Sequence, residues 1–429
     1  MMPQLATGSI AVAGRVMDRC DELGAISCNP DLLERVHLSP EHRRANDLVA
    51  SWMEEAGLAV WQDSGGNQCG RLEGAEPGLP ALLIGSHLDT VRDAGRYDGI
   101  LGVLLAVEVA ARFARRDEAL PFALEVVGFT DEEGTRFGNA LHGSRALAGA
   151  FDPGWWDLRD RDGISLREAF IDFGLDPARI PDAARRPESL VGYLEVHIEQ
   201  GPYLEDADRA LGVVSSIAGA RRFELTMTGV AGHAGGTPYD RRRDALVGAS
   251  DLVVEIESVG RAAGVIATVG RLQAFPGGIN VIPGRVEFSL DVRAEFDRDR
   301  DHALAEIRRR AHEIAERRGL RFESKEIYRA DATRCAPWLQ EAFASGIRRT
   351  GDEDPMIIWS RAGHDGMAVS AVTDIAMLFL RCGKGGISHH PDETVEMRDV
   401  ALALDAFEAA VLAVAERLRA EHERLGGAR

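Results

Sequence analysis

The sequence predicts an α/β protein in which one α/β domain is interrupted by a smaller, ferredoxin-like βαββαβ unit. Three observations carry this. Apolar, strand-like runs alternate with helix-period segments, as in sheets that gather ligands at strand ends. Between residues 213 and 329 the order changes to strand, helix, two strands, helix, strand. Histidines and carboxylates follow the strand-like runs on both sides of that segment, so the first domain resumes beyond it.

Taken in order, Pro80 to Ser86 is an apolar strand that delivers His87. Residues 98 to 116 have helical apolar spacing, which puts Asp98 at the helix start, where free N–H groups favour a carboxylate. Residues 123 to 129 alternate like a strand and end at Asp131-Glu132-Glu133. Residues 191 to 197 repeat the arrangement and end at His197, and 374 to 380 lead through a glycine-rich loop to His389. The first domain is thus expected to comprise 1–212 and 330–429, and the insert 213–329. Within the insert, strands are expected at 222–228, 265–272, 285–293 and 321–328, with helices at 242–263 and 300–318. The segments 212 to 219 and 330 to 337 are hinge candidates, and two connections would permit an open and a closed state.

Composition narrows the chemistry. At 429 residues and 45% hydrophobic, the chain can bury a large core. A formal charge of -19 argues against nucleic acid or an anionic membrane as partner. The five cysteines are scattered and form no C-x-x-C pattern, which fits reduced thiols. The first residues lack a basic stretch followed by an apolar one, and no apolar run could span a bilayer, so a soluble cytoplasmic protein is expected.

Against that background, five residues in short, unusual contexts form a ligand set for two metal ions: His87, Asp98, Glu133, His197 and His389. Imidazole and carboxylate donors without thiolate suit Zn, Mn, Co or Ni. A single histidine ending a buried strand is more often a hydrogen-bonded core residue; the case rests on the set. Glu199 and Glu393, close to His197 and His389, are expected to be structural ion-pair partners.

Six ordered motifs carry a family resemblance: Gly-Ser-His-Leu-Asp-Thr-Val from 85, Glu-Glu-Gly-Thr-Arg-Phe-Gly from 132, His-Ile-Glu-Gln-Gly-Pro from 197, His-Ala-Gly-Gly-Thr-Pro from 233, Asn-Val-Ile-Pro-Gly from 280 and Ala-Gly-His-Asp from 362. Over about 40 to 415 the chain resembles the M20 metallopeptidase clan, and within it the hydantoinase/carbamoylase amidase branch. The resemblance implies a catalytic domain with two divalent ions per subunit and an inserted lid and dimerisation domain. It makes Asp98 the carboxylate shared by both ions, with His87 and His197 on one and Glu133 and His389 on the other. Glu132 becomes the general base and acid, and Asp89 the group that orients the His87 imidazole. His233 would stabilise the oxyanion from across a homodimer. Gln200 would hydrogen-bond a ureido group, Asn280 and Arg293 would hold a substrate carboxylate, and Gly363 and His364 would line the substrate.

The implied activity is hydrolysis of N-carbamoyl-L-amino acids to the amino acid, CO2 and ammonia, with a small carboxylate-bearing ureido compound as substrate. The alternative is an allantoate or ureidoglycolate amidohydrolase; a dinuclear peptidase or a non-catalytic metal-binding scaffold fits less. The chain departs from the family pattern at Gly236, Tyr239, Arg361 and Gly366. Arg361 would reach a second acidic group on the substrate, close the pocket to large side chains, or point to solvent.

Overall fold

In the computed structural model, residues 8–426 are described. The first seven residues, on which the expected lack of a leader partly rests, and the last three of the charged C-terminal tail lie outside them. The chain divides into two compact units, one of 1–215, 334–358 and 364–429, the other of 216–333 and 359–363. Among the described residues no helix is long and apolar enough to cross a membrane.

The first unit is built on a mixed sheet in the order Ala59–Gln62, Gln68–Leu72, Ala123–Phe129, Ala81–His87, Leu190–Ile198, Ile375–Leu380, Leu211–Ile217, Thr333–Arg334, with Met356–Ser360 also paired to Leu211–Ile217. Its four central strands run parallel. Ala81–His87, Ala123–Phe129 and Ile375–Leu380 are buried throughout, as expected for parallel strands covered on both faces. Helix Ile100–Ala114 is apolar almost all round and packs on this sheet. Gly102 makes the contact possible: a Cβ there would stand 2.1 Å from the Val196 carbonyl oxygen. Because the central strands are parallel, their C-terminal ends share one edge, and the groups that follow them are brought together there.

The helix starts later than its apolar spacing suggested. Gly99 adopts φ 68° and the helix begins at Ile100, so Asp98 lies in the preceding turn. The glycine is required twice over, by its left-handed conformation and by crowding, since a Cβ at 99 would stand 2.4 Å from the His87 ring. Gly99→Ala is therefore expected to displace that imidazole and lower kcat/KM by about a hundredfold. Circular dichroism should show the fold retained; full activity would show that the ring tolerates the shift.

The second unit is an antiparallel sheet in the order Leu272–Phe275, Arg285–Ala294, Gly219–Thr228, Arg321–Ala330, with Ile266–Thr268 also paired to Arg285–Ala294. Helices Ala245–Ala263 and Asp297–Arg318 pack against it. Phe223, Leu225, Met227, Val286, Phe288, Leu290 and Val292 alternate inward to form its core with Leu252, Ile256 and Ile307. The expected strand 265–272 is two strands, broken where the Gly270 and Arg271 N–H groups bond the Ser289 hydroxyl instead of a backbone carbonyl. The expected pair of connections is also incomplete, because Trp359–Gly363 joins this unit as a separate passage. Ala218 N donates to Ser360 O at 2.9 Å and Arg293 Nη1 to Arg361 O at 3.0 Å, which ties the passage in place.

Candidate metal centre and substrate groups

His87 is the last residue of its strand and is buried. Its Nδ1 lies 3.0 Å from the Asp89 carbonyl, and His197 Nδ1 lies 2.8 Å from the Ile198 carbonyl. A carbonyl only accepts, so in both rings Nδ1 carries the proton and Nε2 presents its lone pair. Both lone pairs meet the same carboxylate oxygen. Asp98 Oδ1 stands 3.1 Å from His197 Nε2 and 3.7 Å from His87 Nε2, while Oδ2 stands 3.0 Å from His389 Nε2. His389 Nε2 is in turn 3.6 Å from Glu133 Oε1. One carboxylate thus divides its two oxygens between two donor sets, His87–Asp98–His197 and Asp98–Glu133–His389.

The electrostatics call for cations. Burial, then the Asp98 charge, push the Glu133 carboxyl up to about 8, and burial with the adjacent Glu133 charge drives Glu132 well above the usual range. Burial works against an ionised Asp98 too, yet the His197, His389 and His87 rings grouped around it hold it well below the carboxylate range. Crowded carboxylates and inward imidazole lone pairs, with no thiolate, suit divalent ions of the Zn, Mn, Co or Ni type.

Asp89 touches both His87 and the Glu132 turn. Its carboxylate accepts the Glu132 N–H at 3.0 Å and the Glu133 N–H at 3.2 Å, while its backbone carbonyl serves His87. The side chain satisfies two adjacent N–H groups of the turn while its Oδ1 stays 3.8 Å from His87 Nδ1. Gln200 Nε2 donates to Asp98 Oδ2 at 3.0 Å and to Ser388 Oγ at 3.2 Å, which places Gln200 within the cluster. His364 is buried with its ring centroid 4.5 Å from that of His197, so it packs on a donor imidazole. Gly363 falls in the second unit.

Two further buried acids, Glu393 and Asp365, belong to this region, and only Asp365 had no role assigned from the sequence. Glu393 Oε1 accepts the N–H groups of Tyr97 and Asp98, and its Oε2 accepts the Ser388 hydroxyl, so it braces both the Asp98 turn and the His389 loop by hydrogen bonds instead of an ion pair. Asp365 is fully buried, and burial, then the Glu195 charge, push it up. Its signal was its place in the Ala-Gly-His-Asp motif. Glu199 is structural, accepting the N–H groups of Tyr203 and Leu204.

In the second unit, Arg293 is held by Asp291 through Nε and Nη2, each at 3.0 Å. Arg222, Arg293 and Arg361 line one open cavity of ≈ 530 Å³. The Arg361 guanidinium stacks 4.4 Å from the Trp359 ring centroid and bonds the Trp359 carbonyl. Within one chain Asn280 does not lie beside Arg293. Asn280 O accepts the Ala234 N–H at 2.9 Å, and Val281 pairs with His233 across a short two-stranded piece. That piece adjoins the Thr228/Arg285 end of the sheet, whereas Arg293 pairs with Ala220 at the other. Eight residues of strand span roughly 26 Å, so His233 and Asn280 form one group and Arg293 another.

The family model described as peptidase family M20/M25/M40 matches residues 83–413, a span that contains all five donors of the two sets. The chain belongs to this family. Among members, it is 41% identical to an N-carbamoyl-L-amino acid amidohydrolase of Geobacillus stearothermophilus, over 92% of this chain and 96% of that protein. It is 39% identical to an allantoate deiminase of Arabidopsis thaliana, over 90% of this chain and 79% of that protein. A crystal structure of a hydantoinase/carbamoylase family amidase from Burkholderia multivorans superposes with a TM-score of 0.86 at 33% identity, covering 94% of this chain and 98% of that one. The M20 family and this amidase branch are thus those that the six motifs resemble.

Proposed function

We propose that this chain hydrolyses N-carbamoyl-L-amino acids, R-CH(COO⁻)-NH-CO-NH2 plus water giving R-CH(COO⁻)-NH2, CO2 and NH3. The observation that carries the reading is the division of the two Asp98 oxygens between two donor sets, with Glu132 in the turn next to the donor Glu133. His87, His197 and Asp98 would hold one divalent ion, and Asp98, Glu133 and His389 a second. When bound, such ions polarise a carbonyl and acidify water. Glu132 accepts the proton of the attacking water and returns it to the leaving nitrogen. Gln200 fixes Asp98 and offers its amide to the ureido group, and Arg293, its fork set by Asp291, takes the substrate carboxylate.

His233, with Asn280 beside it, stabilises the developing oxyanion. The roughly 26 Å along the strand between this group and Arg293 supports a homodimer, because one small substrate cannot meet both groups of a single chain. A species that is monomeric by light scattering and still turns over would remove that part. The similarity to the allantoate deiminase favours a second reading, the same chemistry on an allantoate-type ureide. Ammonia release from N-carbamoyl L- and D-amino acids, N-carbamoyl-β-alanine, allantoate and ureidoglycolate separates the two. Turnover of the L-carbamoyl compounds is expected; turnover of allantoate or ureidoglycolate alone would assign the second reading, and silence across the panel would remove both.

A further inference from the structure

A second donor cluster lies behind the Asp131-Glu132-Glu133 turn. His37, Asp131 and His142 bring ligand atoms within 4.8 Å of one another, and all three are at most 2% exposed. None of the six family motifs contains His37 or His142. His37 Nδ1 is engaged by Thr130 Oγ1 at 2.6 Å, which fixes the ring and leaves Nε2 facing the cluster. That nitrogen, both nitrogens of His142 and both carboxylate oxygens of Asp131 have no hydrogen bond. His142 Nδ1 and Asp131 Oδ2 are only 2.6 Å apart, so each is the other's polar neighbour inside the cluster. The same signature marks the candidate metal centre, where His197 Nε2 is 3.1 Å from Asp98 Oδ1 and likewise lacks a hydrogen bond.

Aromatic rings enclose the cluster. Phe137 packs against the His37 ring, and Phe151 and Trp155 pack against His142, with centroids 5.9 and 5.0 Å away. A buried polar group left without a partner destabilises the fold. A divalent ion accepting two imidazole lone pairs and a carboxylate removes that penalty at one stroke.

We propose that His37, Asp131 and His142 form a third, structural metal site for a divalent transition ion, zinc being the best match to two imidazoles and one carboxylate. The site anchors the turn that presents Glu132 and Glu133. Asp131 has φ 60° and Leu141 has φ 68°, both left-handed conformations that non-glycine residues adopt only where surroundings impose them. The Leu141 N–H closes the loop on the Asp131 carbonyl at 2.6 Å. An ion on the Asp131 side chain holds this geometry from the other side. The site stands whichever substrate the enzyme takes.

Burial supplies the test. The His389 side chain is 49% exposed, so the centre it serves opens to a chelator, whereas the third ion is sealed. Protein from zinc-supplemented culture should retain about one zinc per chain after EDTA dialysis that abolishes activity, and release it on denaturation. His37→Gln and His142→Gln, folded by circular dichroism, should each hold one zinc per chain fewer than the wild type. Equal zinc counts in wild type and variants, before and after EDTA, would overturn the proposal. Should neither variant fold, cobalt-grown wild type decides the matter. One EDTA-resistant cobalt that quenches tryptophan fluorescence supports the site, and cobalt-free protein after EDTA overturns it.

Discussion

Glu132→Gln is expected to lower kcat by about 10²- to 10⁴-fold with the metal content unchanged. Glutamine keeps the shape of the side chain but cannot take a proton from water. The backbone around it should not move, because the Glu132 and Glu133 N–H groups are both fixed by Asp89. Metal analysis is the informative half of this experiment. His87, Glu132 and Glu133 also bring ligand atoms within 4.8 Å of one another, so Glu132 has the reach of a ligand as well as that of a base. If the glutamine variant loses an ion along with its activity, Glu132 belongs to the coordination shell and the proton must be handled elsewhere. If activity persists at the wild-type level, Glu132 has no part in the chemistry.

Asp98→Asn should empty the centre. In the wild type one oxygen serves His87 and His197, and the other serves His389 while accepting from Gln200 Nε2. Asparagine offers one acceptor where two are needed and turns an NH2 group toward a lone pair or toward the Gln200 amide. Bound metal should fall by at least one ion per chain. Loss of charge stabilisation worth several kcal/mol corresponds to a decrease in kcat/KM of about three orders of magnitude or more. An unchanged metal count by elemental analysis would show that each donor set holds its ion without the shared carboxylate.

What the sequence disclosed about this site depends on how local each signal is. His87, Glu133 and His197 follow apolar strands directly, so strand direction alone points them to one edge. Gln200 and the donors sit in short motifs that survive as text. Groups that act through the backbone left no such mark. Glu393 reaches the Tyr97 and Asp98 amides from nearly three hundred residues away, a pairing that no local pattern encodes. The resemblance pointed to Asp89 as a partner of His87, but the sequence did not disclose that its oxygens also take the Glu132 and Glu133 amides. The helix boundary at Ile100 follows from the left-handed Gly99, which apolar spacing does not register. His37 and His142 sit a hundred residues apart in stretches that read as ordinary core. The separation of Asn280 from Arg293 came from strand register, which orders residues along a sheet where sequence distance does not.

The passage 359–363 bears on how this family can recombine. A single pair of crossover points, at 215/216 and 333/334, would transfer most of the second unit into a chimera but leave that pentapeptide behind. Arg293 would then meet a carbonyl from the host in place of that of Arg361, and Ala218 would lose its native acceptor at Ser360. Exchange of specificity between homologues therefore calls for two non-contiguous cassettes moved together. Gene shuffling that breaks them apart should yield folded but poorly matched hybrids.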